Sequence, residues 1–412
     1  MSSVLAFPGV HAEGLPSTVG SISGVATAVA AFVGDASHGP INKAVRLLSF
    51  TDFERHFGGL NAGSELSYGV RQFFLNGGSE AWVVRLARHA IRAQAEPLNA
   101  QAAQRALEGG QGEPPRAGEA YNGFIADRPA RTGIFALEAV DLFNLLVLPG
   151  VTDPGILMAA SAYCQERRAF LIADAPPSAQ TPDQMAQAIT GTALPKSSYA
   201  AVYFPGIKIA DPLNGGRLRS VAPGGTIAGL YARTDSAHGV WKAPAGTEAT
   251  LAGVQAVDYP LTDSENAALN PLGVNCIRLF PAFGPVAWGA RTLEGDDQTA
   301  SDWKYIPVRR LGLFLEESLY RGTKWAVFEP NNEPLWAQIR LSVGDFMQNL
   351  FRQGAFQGQT SQDAYFVKCD KETTTQNDIN LGVVNILVGF APLKPAEFVV
   401  IKIQQMAGQS AR

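Results

Sequence analysis

Asp174, Asp211 and His238 are the residues of this chain whose types and surroundings could do chemistry. Asp141, Asp174 and Asp211 fall near the ends of segments that read as parallel strands, and open α/β sheets bind ligands at the carboxyl ends of their strands. His238, in Ala237-His238-Gly239, is the best-placed general base. Together they would suit an α/β hydrolase, or a ligand-binding protein that uses acids at strand ends. The plainer reading is that each acid caps a helix or turns a loop, since Asp174 and Asp211 both stand beside prolines, and that a lone loop histidine is solvated. The run Pro223-Gly224-Gly225-Thr226-Ile227-Ala228-Gly229 could cradle an anion on backbone N–H groups at a helix start. It lacks the lysine a nucleotide site needs, so a tight entry turn and close helix packing explain the glycines better.

Other chemistry is missing from the sequence. There is no G-x-x-x-x-G-K-[ST] loop, no G-x-G-x-x-G after a strand, no G-x-S-x-G elbow and no H-E-x-x-H helix. The 5 histidines are scattered without helix-spaced partners. The 3 cysteines, Cys164, Cys276 and Cys369, form neither a metal-ligand pattern nor a disulfide framework; they read as small buried hydrophobes that fit a reducing cytosol. No catalytic residue, metal or cofactor is therefore expected. A net charge of −4 argues against a dedicated nucleic-acid binder, which would show a basic excess. Val19 to Gly34 is Ala/Val/Gly-rich, but no Lys or Arg precedes it, so it does not read as a signal peptide. No uninterrupted apolar stretch reaches about 20 residues, so no membrane insertion is expected.

The elements that would position these residues are those of an α/β chain. Its 412 residues suggest two or three domains of about 100–200 residues each, and 46% hydrophobic residues suffice for a sizeable core. Residues 1–22 read as an extended arm, because Phe7-Pro8-Gly9-Val10 and Leu15-Pro16 cannot continue a helix. Residues 23–88 read as the first part of the core. Strands are expected at Val25–Val33, Val45–Phe50 and Ala81–Leu86, with helices at Asp52–Phe57, capped by Ser49 or Thr51, and at Leu66–Asn76, stopped by Gly77-Gly78. Residues 89–133 lack apolar periodicity and read as a surface insertion, with one helix at Ala100–Leu107. From Phe143 the pattern is strand, helix, strand, helix, strand. Its segments are Leu145–Leu148, a helix from Pro154, Ala169–Ala173, Pro182–Thr190 and Tyr199–Phe204. Continuous apolar strands of this kind form a parallel sheet covered on both faces. Residues 205–300 read as irregular apart from a helix at Thr226–Thr234.

Residues 301–394 read as a smaller α+β domain. It opens with the charged helix Val308–Arg321, followed by a buried-type strand with a polar turn, Lys324–Pro334. A long helix from Pro334 to Gln353 buries Leu335, Ile339, Val343, Phe346, Met347 and Leu350 on one face. Alternating apolar runs, Asn380–Phe390 and Ala396–Gln405, close the chain, and residues 395–412 read as a second arm. A long patterned segment without chemistry points to assembly.

These segments resemble the contractile tail sheath family of contractile phages, R-type bacteriocins and phage-like extracellular injection systems. Phe7-Pro8-Gly9-Val10 with Glu13 resembles the family's N-terminal arm, although His11 stands where an aromatic residue is usual. Thr27–Gly39 (TAVAAFVGDASHG), Val70–Val84 (VRQFFLNGGSEAWVV) and Gly225–Ala243 resemble its core. So do Asn270–Arg278 (NPLGVNCIR) and Trp288–Thr292 (WGART), while Arg309–Trp336 and Phe390–Gln405 resemble its C-terminal domain and arm. The order of these motifs is more specific than any one of them.

The resemblance implies a subtilisin-like parallel-sheet middle domain at 134–300 without peptidase activity; no Ser, His and Asp can be assembled here into a nucleophilic site. It implies a structural subunit that stacks in six-fold rings into a helical sheath around an inner tail tube protein, meets baseplate and tail terminator or cap proteins, and contracts on a baseplate signal. Strands would be exchanged through Phe7, Pro8 and Val10 and through Phe398, Val399, Val400, Ile401 and Ile403. Pro392 and Pro395 would form a stiff hinge before the second set. A basic helix would touch the tube, for which Arg340 and Arg352 are the candidates, followed by Arg309, Arg310 and Lys324. Assembly in the bacterial cytoplasm and release as a phage tail or phage-like particle follow from the same likeness. A tail tube protein is a poorer match, since tube proteins are shorter and mostly β.

Overall fold

A computed structural model describes residues 21–87 and 123–398. The described chain divides into two units, one of residues 25–316 with 392–398 and one of residues 21–24 with 317–391.

The larger unit is built on an eight-stranded sheet. Strand β1 (Ala30–Asp35) and strand β2 (Ala44–Leu47) lead into helix α1 (Phe50–Phe57), whose first turn is capped by the Ser49 hydroxyl accepting from the Asp52 N–H. Helix α2 (Glu65–Leu75), capped by Ser64, precedes β3 (Ala81–Leu86). After a 3-10 turn at Ile134–Ala139 come β4 (Leu145–Val147), α3 (Pro154–Glu166), β5 (Phe170–Asp174), α4 (Pro182–Thr190) and β6 (Ala200–Phe204). Asp153 caps α3 with Pro154 in its first turn, where a missing N–H costs nothing; Thr181 and Gln184 close a reciprocal cap on α4. Then follow β7 (Ile207–Ala210), β8 (Leu218–Val221), α5 (Gly224–His238), β9 (Val254–Val257), α6 (Asp263–Leu269), β10 (Val274–Phe280), β11 (Gly284–Ala287) and α7 (Ile306–Gly322).

The sheet order is β11-β10-β6-β5-β4-β1-β3-β2. Every pairing from β10 through β3 is parallel, and the edge strands β11 and β2 are antiparallel. Period-2 alternation divides the strand side chains between two cores. Ala31, Val33 and Leu171 face one core with α3 and α4; Ala30, Phe32 and Ile172 face the other with α1, α2 and α5. The α/β class with a parallel-sheet core is thus as expected.

The chain differs from expectation in three places. Residues 205–300 are not irregular: β7, β8 and β9 form a separate three-stranded sheet, and β10 and β11 complete the main one. Their pairings are long-range, and the Gly- and Pro-rich turns between them conceal the strands. Phe124 and Ile125, inside the segment expected at the surface, are buried in the α3 core, and Ile125 bridges Gly133. Lys324–Pro334 is not a buried strand: Lys324–Ala326 is a 3-10 turn, and Val327 and Phe328 are exposed. Its β-forming residues meet no strand partner among the described residues, and β-propensity acts only through such neighbours.

The smaller unit contains α8 (Glu333–Arg352), α9 (Ser361–Ala364), β12 (Tyr365–Lys368), α10 (Gln376–Asn380) and β13 (Leu387–Phe390). Asn332 caps α8. All of the apolar positions expected on its inner face are buried, with Trp336 beside them. Tyr365 donates to Gln348 Oε1 at 2.9 Å, and Phe356 packs against both Tyr365 and Phe390.

Candidate assembly interface

The strand-end carboxylates do not converge on a catalytic centre. Asp174, at the carboxyl end of β5, is buried and accepts from Gly150 N–H at 3.0 Å and Gly224 N–H at 2.9 Å, tying two loops together. Burial pushes its carboxyl up to about 6, against those two donors and with the Glu65 charge adding to the rise. Asp211 caps a 3-10 turn through Leu213 N–H and accepts the Tyr68 hydroxyl at 2.8 Å. His238 lies at the far end of α5 from Gly224, across a 15-residue helix that is about 20 Å long, and its ring is 3.7 Å from Glu248. Asp141 is exposed and precedes β4. The hydrolase reading therefore fails on geometry, and helix capping and loop turning account for Asp174 and Asp211.

The crevice where such a sheet would hold a ligand is filled. The strand order reverses between β1 and β4, so a ligand would sit beyond their carboxyl ends. Helix α2 occupies that place: a Cβ on Gly69 would lie 2.9 Å from the Pro149 ring, and one on Gly34 would lie 3.1 Å from Leu66. The glycine run serves the same packing. A Cβ on Gly225 would lie 2.2 Å from the Gly69 carbonyl oxygen, and one on Gly229 would lie 2.4 Å from that of Phe73. A cavity lined by Asn144, Phe170 and Arg310 sits at the opposite, amino ends of the strands and holds about 10 Å³, room for a single water. Among the described residues no cluster of potential metal ligands occurs. The cysteines are buried and reduced, and burial pushes the Cys369 thiol up to about 11 and that of Cys276 to about 12.

Groups that suit assembly lie elsewhere. Strands β12 and β13 pair antiparallel, Phe366 opposite Gly389, and among the described residues neither outer edge carries a further strand. Phe366 lies over Gly389, where any Cβ would meet its ring, and is half-exposed. A two-stranded ribbon is marginal alone, and an open edge is a template for another chain. Of the exchanged positions expected on the terminal segments, Phe398 is exposed. Phe7, Pro8, Val10, Val399, Val400, Ile401 and Ile403 lie outside the described residues, as do residues 1–20, most of the 89–133 segment and its expected helix.

The expected tube contacts differ in their surroundings. Arg352 is exposed in the last turn of α8. Arg340 is partly covered, pairs with Glu333 at 2.6 Å and donates to the Cys369 carbonyl. Lys324 is exposed, but Arg309 and Arg310 are both buried, which removes them as surface contacts. The Arg309 guanidinium lies 3.9 Å from the Trp303 ring and 4.4 Å from that of Tyr199. Arg310 forks onto Asp235.

Residues 130–293 match the phage tail sheath protein central domain, and residues 298–406 match the phage tail sheath C-terminal domain. The chain belongs to the phage tail sheath family. It is 27% identical over 186 residues to the tail sheath protein of Vibrio phage KVP40, 45% of this chain but 26% of that protein. The tail sheath protein of Enterobacteria phage T4 is 27% identical over 156 residues, 37% of this chain and 22% of that protein. The match thus spans about a quarter of the length of these curated relatives. Solved structures are covered far more fully. The anti-feeding prophage helical sheath in its contracted state aligns over 98% of this chain and 100% of its own, at 31% identity and a TM-score of 0.73. The PVC sheath complex of an extracellular contractile injection system, also contracted, gives 30% identity, 98% and 99% coverage and a TM-score of 0.73. The six-fold symmetrised anti-feeding prophage baseplate contains a chain matching at 30% identity, 98% and 100% coverage and a TM-score of 0.71.

Sequence reasoning missed some of the best-built sites of this sheath-family chain. Arg291, the largest fully buried side chain among the described residues, lies inside WGART, and Asn275 lies inside NPLGVNCIR. Both motifs were legible, but their side-chain roles depend on partners distant in sequence.

Proposed function

We propose that this chain is a structural sheath subunit. It polymerises into a six-fold helical contractile sheath around an inner tail tube and contracts to drive the tube through a target envelope. The observation that carries this reading is end-to-end likeness, at about 30% identity, to a helical sheath and a sheath complex. The two open edges of the β12–β13 ribbon supply the attachment chemistry: strand addition satisfies main-chain groups and sets register by side-chain pockets. Head-to-tail contacts of this kind are heterologous and propagate into a filament. The partners are further copies of the chain, the inner tube protein, and baseplate and terminator or cap proteins. The chain acts without catalysis, and the filled crevice at the strand ends is in keeping with that. A subtilisin-like form of the parallel-sheet middle domain and the domain boundaries expected above belong to the same reading. So do exchange through residues 1–22 and 395–412, assembly in the bacterial cytoplasm, and incorporation into a phage tail or a released injection particle. No helix among the described residues is long and apolar enough to cross a membrane.

Negative-stain electron microscopy of the protein with its tube and baseplate partners tests this reading. Striated tubes sheathing a thinner inner tube are expected. Deleting residues 396–412 should leave a folded subunit that forms no connected sheath; normal sheaths from that deletion would remove the exchanged arm from the account.

A further inference from the structure

Arg291 is buried, with its side chain 1% exposed, yet it carries a full charge. Its backbone is held by the Asn275 side chain in the manner of a paired strand: Asn275 Oδ1 accepts from Arg291 N–H at 2.7 Å, and Nδ2 donates to the Arg291 carbonyl at 2.8 Å. Asn275 also donates to the Val202 carbonyl on β6, so Arg291 is fixed to the β10–β6 pair of the main sheet. Its guanidinium then points at a residue 106 positions away. Nε donates to Glu397 Oε1 at 2.8 Å and Nη2 to Glu397 Oε2 at 2.6 Å, while Nη1 donates to Asp297 at 2.9 Å and to the Gly295 carbonyl at 3.3 Å. The Tyr305 hydroxyl adds a third donor to Glu397 at 3.2 Å. This is the planar fork that suits guanidinium and carboxylate. Residues 393–398 contain no helix, strand or bridge, and Phe398, next after Glu397, is 76% exposed.

We propose that Arg291 is a positioning residue that, through Glu397, fixes the point at which the C-terminal segment leaves the α/β body. The inference deepens the assembly reading and rests on it, because a strand added to a neighbour must start from a defined place. Prolines at 392 and 395 restrict the backbone leading to Glu397, and the carboxylate fork ties it through Arg291 and Asn275 to the sheet. The rigid path β10, Asn275, Arg291, Glu397 carries tension on the segment into the sheet rather than into the loops.

The test uses full-length chains produced with the tube and baseplate proteins. In the isolated subunit, Glu397→Ala removes all three donors' acceptor and should lower the backbone order parameters at residues 396–398 into the flexible range, below about 0.6. Order in β4, β5 and β10 should be unchanged. In the particle, sheathed tubes should become rare, and Glu397→Gln, which keeps the side chain's shape and one acceptor, should restore part of their number. Should Glu397→Ala unfold the body by orphaning a buried charge, the double variant Arg291→Met with Glu397→Met removes both charges. It should fold and still fail to sheathe. Normal sheathing by that double variant, or unaltered order parameters at 396–398 in Glu397→Ala, would overturn the proposal. Bare tubes with the unmodified chain would count against the sheath reading instead, and the comparison of order parameters would still decide the anchor.

Discussion

Arg310 and Asp235 form a closed fork inside the α/β body: Nη2 lies 2.6 Å from Oδ2 and Nη1 lies 2.9 Å from Oδ1, with both side chains under 5% exposed. The same guanidinium donates to the Thr27 carbonyl at 2.9 Å and lies 4.7 Å from the Tyr231 ring. One residue of α7 thus joins the α5 helix to the segment preceding β1. Removing one partner of such a pair leaves a buried charge without its counter-ion, which costs about 3–5 kcal/mol, whereas replacing both with apolar groups is often close to neutral. Asp235→Ala should therefore lower stability by several kcal/mol in urea unfolding, and Arg310→Met with Asp235→Leu should recover most of it. Equal losses for the single and double variants would show that Arg310 acts through packing alone.

The contact between α2 and α5 makes a sharper steric demand. A methyl group at Gly225 would fall 2.2 Å from a backbone oxygen and 2.6 Å from the Gly69 Cα, so the helices must separate. Gly225→Ala should cost about 3 kcal/mol, the upper range for overpacking. Gly344→Ala on α8 meets nothing within 4 Å and should instead stabilise its helix by up to about 1 kcal/mol through propensity. Opposite shifts in thermal midpoint would distinguish close packing from a general sensitivity of helical glycines.

That glycine run shows how far the sequence could be read. Close helix packing was legible in Gly224-Gly225-Thr226 because nothing else explained the glycines, and the parallel strands were legible because each is a continuous apolar run next to its helix. Strand β10 was not, although its residues stood inside a quoted motif: it pairs with β6, far back in the chain, across segments rich in turn residues. The error at Lys324–Pro334 has the converse cause. Trp325, Val327 and Phe328 have strand-forming side chains but no strand beside them among the described residues, and Phe328 takes a left-handed φ of 71° instead. Arg310 was read as a surface charge because its partner Asp235 lies on another helix, and Glu397 was passed over for the same reason.

Asp174 should make stability depend on pH in the direction opposite to most carboxylates. Its native carboxyl is pushed up to about 6 from 3.8 by burial, so the native state holds a proton that the unfolded chain has released. The stabilisation is complete below the unfolded value and lost as pH rises through the native one. Relative to Asp174→Asn, the natural chain should gain about 2 kcal/mol between about pH 7 and about pH 4.5. Glu265, held low by the Tyr259 hydroxyl, and Asp297, held low by Lys304, titrate below that window and weaken the fold only there. Urea midpoints for both chains across the range would show it; parallel curves would mean that Asp174 stays ionised throughout.

The proposed tube contact is best probed at Arg352, not Arg340. Reversing Arg340 breaks its bond to the Cys369 carbonyl and sets a second carboxylate against Glu333, so any loss of decoration would mix folding with binding. Arg352 is exposed at the end of α8, where its charge suits the negative end of the helix dipole. Arg352→Glu should leave the thermal midpoint within about 1 °C, since an exposed charge contributes only tenths of a kcal/mol. On the proposed reading the tube contact breaks when the sheath contracts, so it should be polar and screened by salt. Co-sedimentation of the variant with preformed inner tubes should therefore fall most at low ionic strength and approach that of the unmodified chain as salt is raised. Equal binding at low salt would exclude Arg352 from the tube contact.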